Sequence, residues 1–262
     1  MEGGGTAAPI VVFTLDALKT AVQGDLPKVV LIDGVISGSD IVDVGGNTSL
    51  LGKSGPGLEG IGLRVNATEN ISKVLDSTGD AIRTISSSRI WIDSMDLSSD
   101  NDNGNSYYGG LIYVTKGTSG ISITNSYFHD HWKSVLGGLS DVATEQANVT
   151  WAYNKWERLN SRLPTVRWGK YHITCNYYVN NLGSITANVG SDVYIQGNVF
   201  ESMTNPIVNN GGTVRVTGNS GYRPPLGTII ITPIEFEYPA LGCDGSTIKE
   251  QVNAGAGAKL DF

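Results

Sequence analysis

The residues best suited to chemistry lie in the run Arg162-Leu-Pro-Thr-Val-Arg167-Trp-Gly, where two arginines stand five residues apart with a proline between them. A guanidinium is planar and charged at neutral pH, and its fork matches a carboxylate or a phosphate. Two of them beside an apolar run mark a place to hold an anion. The plain alternative is an ordinary surface pair. Pro164 fixes its own φ and pushes Leu163 towards an extended backbone. An extended chain alternates its faces, so Arg162 and Arg167 share a side only if the chain bends between them.

The elements that must carry this run follow from composition and pattern. The chain has 262 residues, 40% of them hydrophobic, enough for one all-β domain with a sizeable core. A formal net charge of -7 argues against nucleic acid, which selects a basic face. It leaves room for a polyanionic sugar, which needs only a local basic cleft. The 34 glycines and the 16% of charged residues predict tight turns rather than long helices. No stretch has the length of a membrane span. Of the two cysteines, Cys175 lies in an apolar alternating run and reads as a buried free thiol, with one disulfide to Cys243 as the other option. The start, Met-Glu-Gly-Gly-Gly, lacks an apolar signal region, so the protein is expected to be cytosolic or a mature secreted form. Sequons begin at Asn47, Asn66, Asn70 and Asn148 and support secretion weakly.

Near the start one helix is predicted: Thr14 caps it, Asp16 suits its first turn, and Leu15, Leu18 and Val22 share a face before Gly24. Strands are expected at 28–32, 35–36, 41–44 and 49–51. From about Gly60 the chain repeats. The segments 121–125, 149–154, 172–176, 193–198 and 214–219 each alternate and end in asparagine, with spacings of 29, 22, 22 and 21 residues. An aromatic follows each: Phe128, Trp156, Tyr178, Phe200 and Tyr222. The segments 63–65 and 90–92 fit the same register without the asparagine. A period in the low twenties with no helical pattern between strands predicts a solenoid, and a β-helix in particular. Stacked asparagines can pair their amides from coil to coil, and asparagine tolerates the left-handed turn a coil needs. The longer first spacing predicts an excursion between Asn125 and Asn154, the kind of loop that builds a cleft. We therefore expect one domain over 1–262: an N-terminal cap at about 9–24, coils at about 28–222, and a non-repeating C-terminal wrap at about 223–262. One strand of that wrap is expected at 229–231.

With the repeats and the arginine run in place, the chain resembles the polysaccharide lyase family 1 pectate lyases, most closely the fungal type. The runs that carry the likeness are Gly79-Asp-Ala-Ile82, Ile90-Trp-Ile-Asp93, His129-Asp-His-Trp-Lys133 with Ser140-Asp141, and Asn160-Ser-Arg-Leu-Pro-Thr-Val-Arg-Trp-Gly169 with His172. The resemblance covers roughly residues 10–225. It implies an all-β, right-handed parallel β-helix, secreted, acting as a monomer on polygalacturonate or pectin by β-elimination. It also implies roles. Arg162 matches the base that removes the proton from C5 of the uronate, Lys133 and Arg167 match residues that bind its carboxylate, and Asp80 matches a calcium ligand. The chemistry is coherent, because that proton is acidic only when cations or a metal neutralise the adjacent carboxylate. An arginine base would need crowding by other positive charges, since a free guanidinium keeps its proton.

The calcium expected from the resemblance meets a departure. Gly109 and Tyr113 stand where two further acidic ligands are expected, and Ser94 stands where a histidine is expected. A calcium ion takes six to eight oxygens, several of them carboxylates. Asp100 and Asp102 either compensate or belong to a solvated loop. Tyr113, Trp132 and His129 are expected along the substrate path. The three histidines His129, His131 and His172 show no ligand spacing, and hydrogen-bonded roles are their plain reading. Trp91 is expected in the core; Trp132, Trp151, Trp156 and Trp168 either stack sugars or pack inside. Two functions compete with an active lyase of weak or absent calcium dependence. One is a non-catalytic binder of acidic polysaccharide that has lost its calcium site. The other is a hydrolase, for which no paired carboxylates at a fixed separation are evident.

Overall fold

The structure, a computed structural model, describes residues 4–52, 57–66, 80–138, 140–142, 144–222, 242–243 and 245–258. The predicted N-terminal helix is present as α1 (Leu15–Ala21). Thr14 caps it by accepting the Ala17 N–H at 3.3 Å, and Leu18 and Val22 are buried. Next to it Pro9–Val12, Lys28–Ile32 and Thr48–Gly52 form a three-stranded parallel sheet that closes this end.

The repeating part is a parallel β-helix. A complete coil contributes one strand to each of three sheets, as in Ser119–Thr124, Tyr127–Lys133 and Val135–Gly137. The next coil places Ala147–Ala152, Lys155–Ser161 and Thr165–Val166 directly on these in parallel register. The resulting sheets have six, five and eight strands. Inside, residues of alternate positions fill the stack. Phe128, Trp156, Tyr178 and Phe200 lie one above another, with ring centroids 4.3, 5.4 and 4.9 Å apart. All four are buried, and such pairs add about 1 kcal/mol each beyond their buried area.

Beside that stack runs the asparagine ladder. Each Nδ2 of Asn154, Asn176 and Asn198 donates to the Oδ1 of the next asparagine at 2.9–3.0 Å, ending on Asn219. Two details differ from the sequence reading. Strand register sets Ser126, not Asn125, opposite Asn154, because Thr124 pairs with Ala152. The left-handed position is the residue before each ladder asparagine, as in Tyr153 (φ 59°) and Cys175 (φ 53°). Asn125 occupies that turn position itself and donates instead to Asp93. The segment 63–65 also belongs elsewhere: it pairs with 82–84 in the eight-stranded sheet.

The C-terminal segment adds a helix and corrects one further expectation. It contains a helix, α2 (Gly245–Gly255), whose Ile248 and Val252 pack on Cys175, Tyr177 and Val199. Cys175 is not free but forms a disulfide with Cys243, Cα to Cα 5.3 Å. The helix lands on the flank where Cys175 turns, so two cysteines 68 residues apart in sequence meet. Closing a loop of that length is worth about 4 kcal/mol in the chain-entropy account. The strand expected at 229–231 lies outside the described residues. No helix among the described residues is long and apolar enough to cross a membrane.

Candidate active site

The candidate residues gather where the five-stranded sheet turns into the eight-stranded one. Backbone hydrogen bonds stack this corner from coil to coil: Ala81 N–H donates to Gly110 O at 2.9 Å, Leu111 N–H to Ser134 O at 2.8 Å, and Ser134 N–H to Ser161 O at 3.0 Å. Asp80, Gly110, Lys133 and Arg162 therefore come from successive coils to one edge. Arg162 is held there with φ +64°, between Ser161 at a strand end and Leu163, whose N–H bonds Ser184 O at 3.0 Å. The Leu163–Pro164 peptide is cis. The run from Arg162 to Arg167 is thus bent at its start rather than extended throughout. It passes through the short strand Thr165–Val166, with Arg167 beyond its far end.

Three residues further along each coil, Arg83, Tyr113, Leu136 and Thr165 stand in register on the eight-stranded sheet. Arg83 is the residue that sequence reasoning missed. Its Nε lies 3.2 Å from Asp80 Oδ2, and its guanidinium sits 4.9 Å from the centre of the Tyr113 ring. The signal was available: in Ala81-Ile-Arg-Thr-Ile85, alternation buries Ile82 and Thr84 and turns Arg83 outward, three residues from Asp80. Tyr113 is almost buried under that arginine, so it acts as the floor of the site rather than an open surface.

Charge is unevenly matched here. Among the described residues neither Lys133 nor Arg162 has an ion-pair partner within 4 Å. Burial pulls the Arg162 guanidinium below its ordinary value; Asp80 opposes this and Arg167 adds to it. Burial also lowers Lys133, and the neighbouring Arg162 lowers it further. Arg167 is anchored: its Nε donates to Asp141 Oδ1 at 2.5 Å. Trp168 Nε1 donates to Ser140 O at 3.2 Å, so the predicted excursion between the first two repeats is the loop that ties down this end of the arginine run.

Other expected residues lie elsewhere. Trp132, half-buried, immediately precedes Lys133 on its strand. His129 does not join the corner; its two ring nitrogens meet Asp130 Oδ2 at 2.7 Å and Asp96 Oδ1 at 2.8 Å. His131 is buried between Ser99 Oγ and Gly109 O, and burial holds its ring below the usual value. His172 stacks on Tyr194 with centroids 5.2 Å apart, and burial pushes its ring down to about 4. Trp91 is 46% exposed rather than in the core, because Ile90 and Ile92 on either side take the inward positions. Trp151 and Trp156 are core residues.

At the expected calcium position the one carboxylate present among the described residues, Asp80, is already engaged. Asp80 Oδ1 accepts the Gly110 N–H at 2.8 Å, while Oδ2 faces Arg83. A Cβ at Gly110 would lie 3.1 Å from Ser134 O and 3.2 Å from Asp80 Oδ1, so glycine permits that close approach. Asp100 is occupied within its own loop, accepting from the N–H groups of Asp102 and Asn103 and from the Tyr108 hydroxyl at 3.0 Å. Among the described residues no group of three or more His, Cys, Asp or Glu side chains could hold a metal. A lone carboxylate with both oxygens engaged and an arginine against it does not suit calcium.

Fold and site together define a parallel β-helix with a surplus of cations at one corner. A family model described as Pectate lyase matches residues 65–225. Pectate lyase A of Emericella nidulans is 39% identical over 258 residues, covering 92% of this chain and 78% of that protein. The probable pectate lyase A of Aspergillus niger is 34% identical over 262 residues, covering 94% and 80%. The chain belongs to the pectate lyase family. Among solved structures, a pectate lyase from Bacillus sp. N165 in complex with trigalacturonate superposes with a TM-score of 0.82 at 20% identity, covering 97% of this chain and 94% of that one. At that identity the match speaks for the fold.

Proposed function

We propose that this protein cleaves α-1,4-linked galacturonan by β-elimination, with Arg162 as the base and Lys133 and Arg167 holding uronate carboxylates. In this reading Arg162 takes the C5 proton, the electrons of that C–H bond form the C4–C5 double bond, and the C4–O bond breaks. The departing oxygen takes up a proton that balances the one lost from C5 to Arg162, and the new chain end is an unsaturated uronide. No water enters the products. Lys133 acts by drawing charge out of the carboxylate as carbanion character develops at C5. Arg167, fixed by Asp141, contributes a second positive charge and works against protonation of Arg162.

The observation that carries this reading is the state of Arg162: more than half buried, lacking a carboxylate partner among the described residues, and depressed in its affinity for a proton. A structural arginine so placed would be expected to have an anion against it. Family membership supports the activity. The disulfide fits a secreted protein, since such bonds persist in oxidising compartments. All proposed residues come from one chain, so a monomer suffices. The test is incubation with polygalacturonate and with methylated pectin while ultraviolet absorbance of unsaturated uronides is followed. Rising absorbance supports the lyase; new reducing ends without absorbance would point to hydrolysis and overturn it.

A further inference from the structure

We infer that Arg83 stands in for a metal ion: seated on Asp80 and Tyr113, it grips the uronate carboxylate beside Lys133, so this protein binds unesterified galacturonan without calcium. The inference rests on the lyase reading for its substrate but can be measured by binding alone.

Asp80 is the carboxylate a cation would need, and it is already neutralised. Its side chain is only 13% exposed and is shared between the Gly110 N–H and the Arg83 guanidinium. The Arg83 side chain remains 45% exposed, so part of its donor fork is open outward. A guanidinium carries five donors, and among the described residues the contact with Asp80 leaves others open to meet a planar carboxylate. The Tyr113 ring beneath it fixes the height of the guanidinium over the sheet, in the manner of a cation on an aromatic face. Arg83 belongs to the coil that begins with Asp80, Tyr113 to the next, and the coils after those supply Lys133 and Arg162. Three positive groups thus lie along one edge of the solenoid, from the first, third and fourth of these coils, with Tyr113 of the second beneath Arg83.

The balance of charge chooses the substrate. With Asp80 cancelled by Arg83, Lys133 and Arg162 still lack carboxylate partners among the described residues. A free uronate supplies the missing negative charge. A methyl ester does not, and would leave those cations partly desolvated and unmatched. A divalent ion would have to displace Arg83 and then sit among like charges on a single carboxylate.

The test is calorimetric titration of trigalacturonate into metal-stripped protein in chelator, then in calcium, for the wild type, Arg83→Gln, Arg83→Lys and Asp80→Asn. The wild type should bind in chelator, with affinity changing less than about two-fold when calcium is added. Arg83→Gln should weaken binding about ten- to a hundred-fold, the size of losing one charge-assisted contact. Arg83→Lys should recover part of that loss, which shows that the fold survives and that charge matters. Asp80→Asn should weaken binding several-fold by loosening Arg83, again with no calcium dependence. Calcium-dependent binding, or an Arg83→Gln variant that binds like the wild type, would overturn the inference. Retained calcium-free binding that needs Arg83, with no unsaturated product, would sink the lyase reading and leave this inference standing.

Discussion

On the outer face of the five-stranded sheet, Arg158 forks onto Asp130 at 2.6 and 2.5 Å and reaches Glu157 at 2.8 Å. Lys155 meets the same Glu157 at 3.0 Å and lies 4.8 Å from the Tyr127 ring centre. His129 stacks on Tyr127 at 4.0 Å between Asp96 and Asp130; burial works against its proton, but the two carboxylates outweigh it and raise its affinity. At the neighbouring corner Lys133 and Arg162 come from the ends of the strands that carry His129 and Arg158, and among the described residues they have no carboxylate within 4 Å. The two regions share strands and residue types, yet differ in whether each cation has been given an anion. Where it has, Arg158 holds its proton more tightly than usual and Asp130 is pulled down to about 2. Where it has not, Arg162 and Lys133 both shift the other way. A matched network fixes structure. An unmatched one keeps its attraction for a ligand, at a cost in stability that packing elsewhere offsets.

Substitutions can break this comparison at either end. Arg162→Ala should lower kcat on polygalacturonate by about a thousand-fold, within the range for losing a general base, while the melting temperature stays within a few degrees. A variant of normal activity would make Arg162 ordinary. Lys133→Ala should cost about ten- to a hundred-fold in kcat/KM, the loss of one charged contact to the carboxylate. Steady-state kinetics in chelator would show whether the loss is real and independent of metal. Arg158→Ala is the contrasting case. It removes a half-exposed, fully paired cation, so kcat/KM should be unchanged and denaturant melts should show less than about 1 kcal/mol. A large loss of rate there would show that the two regions work as one.

How much of this was legible in the sequence follows the range of the interactions. The ladder asparagines and the aromatic stack repeat at one coil's length, so their period exposed the solenoid directly. Arg162 and Lys133 were readable because short runs surround them. Arg83 was overlooked because its meaning depends on Tyr113, a full coil away, although alternation alone turned it outward. His129 shared a run with Lys133 and looked like part of the same site. Two carboxylates, one of them 33 residues earlier on the coil below, claim it instead. The Cys175–Cys243 bond and α2 were hidden for a related reason: nothing near position 175 announces a partner arriving from a non-repeating tail.

The central claim is that Arg162 is an unmatched guanidinium able to give up its proton, and the dependence of kcat/KM on pH measures this most directly. Because burial depresses its proton affinity, the active deprotonated form gains population as pH rises. The profile for polygalacturonate should therefore climb above neutral pH and level off where Lys133, whose ordinary value lies below that of an arginine, begins to lose its charge. Arg158→Ala should follow the same curve. A profile that is flat, or that declines steadily from neutral pH upward, would contradict the account.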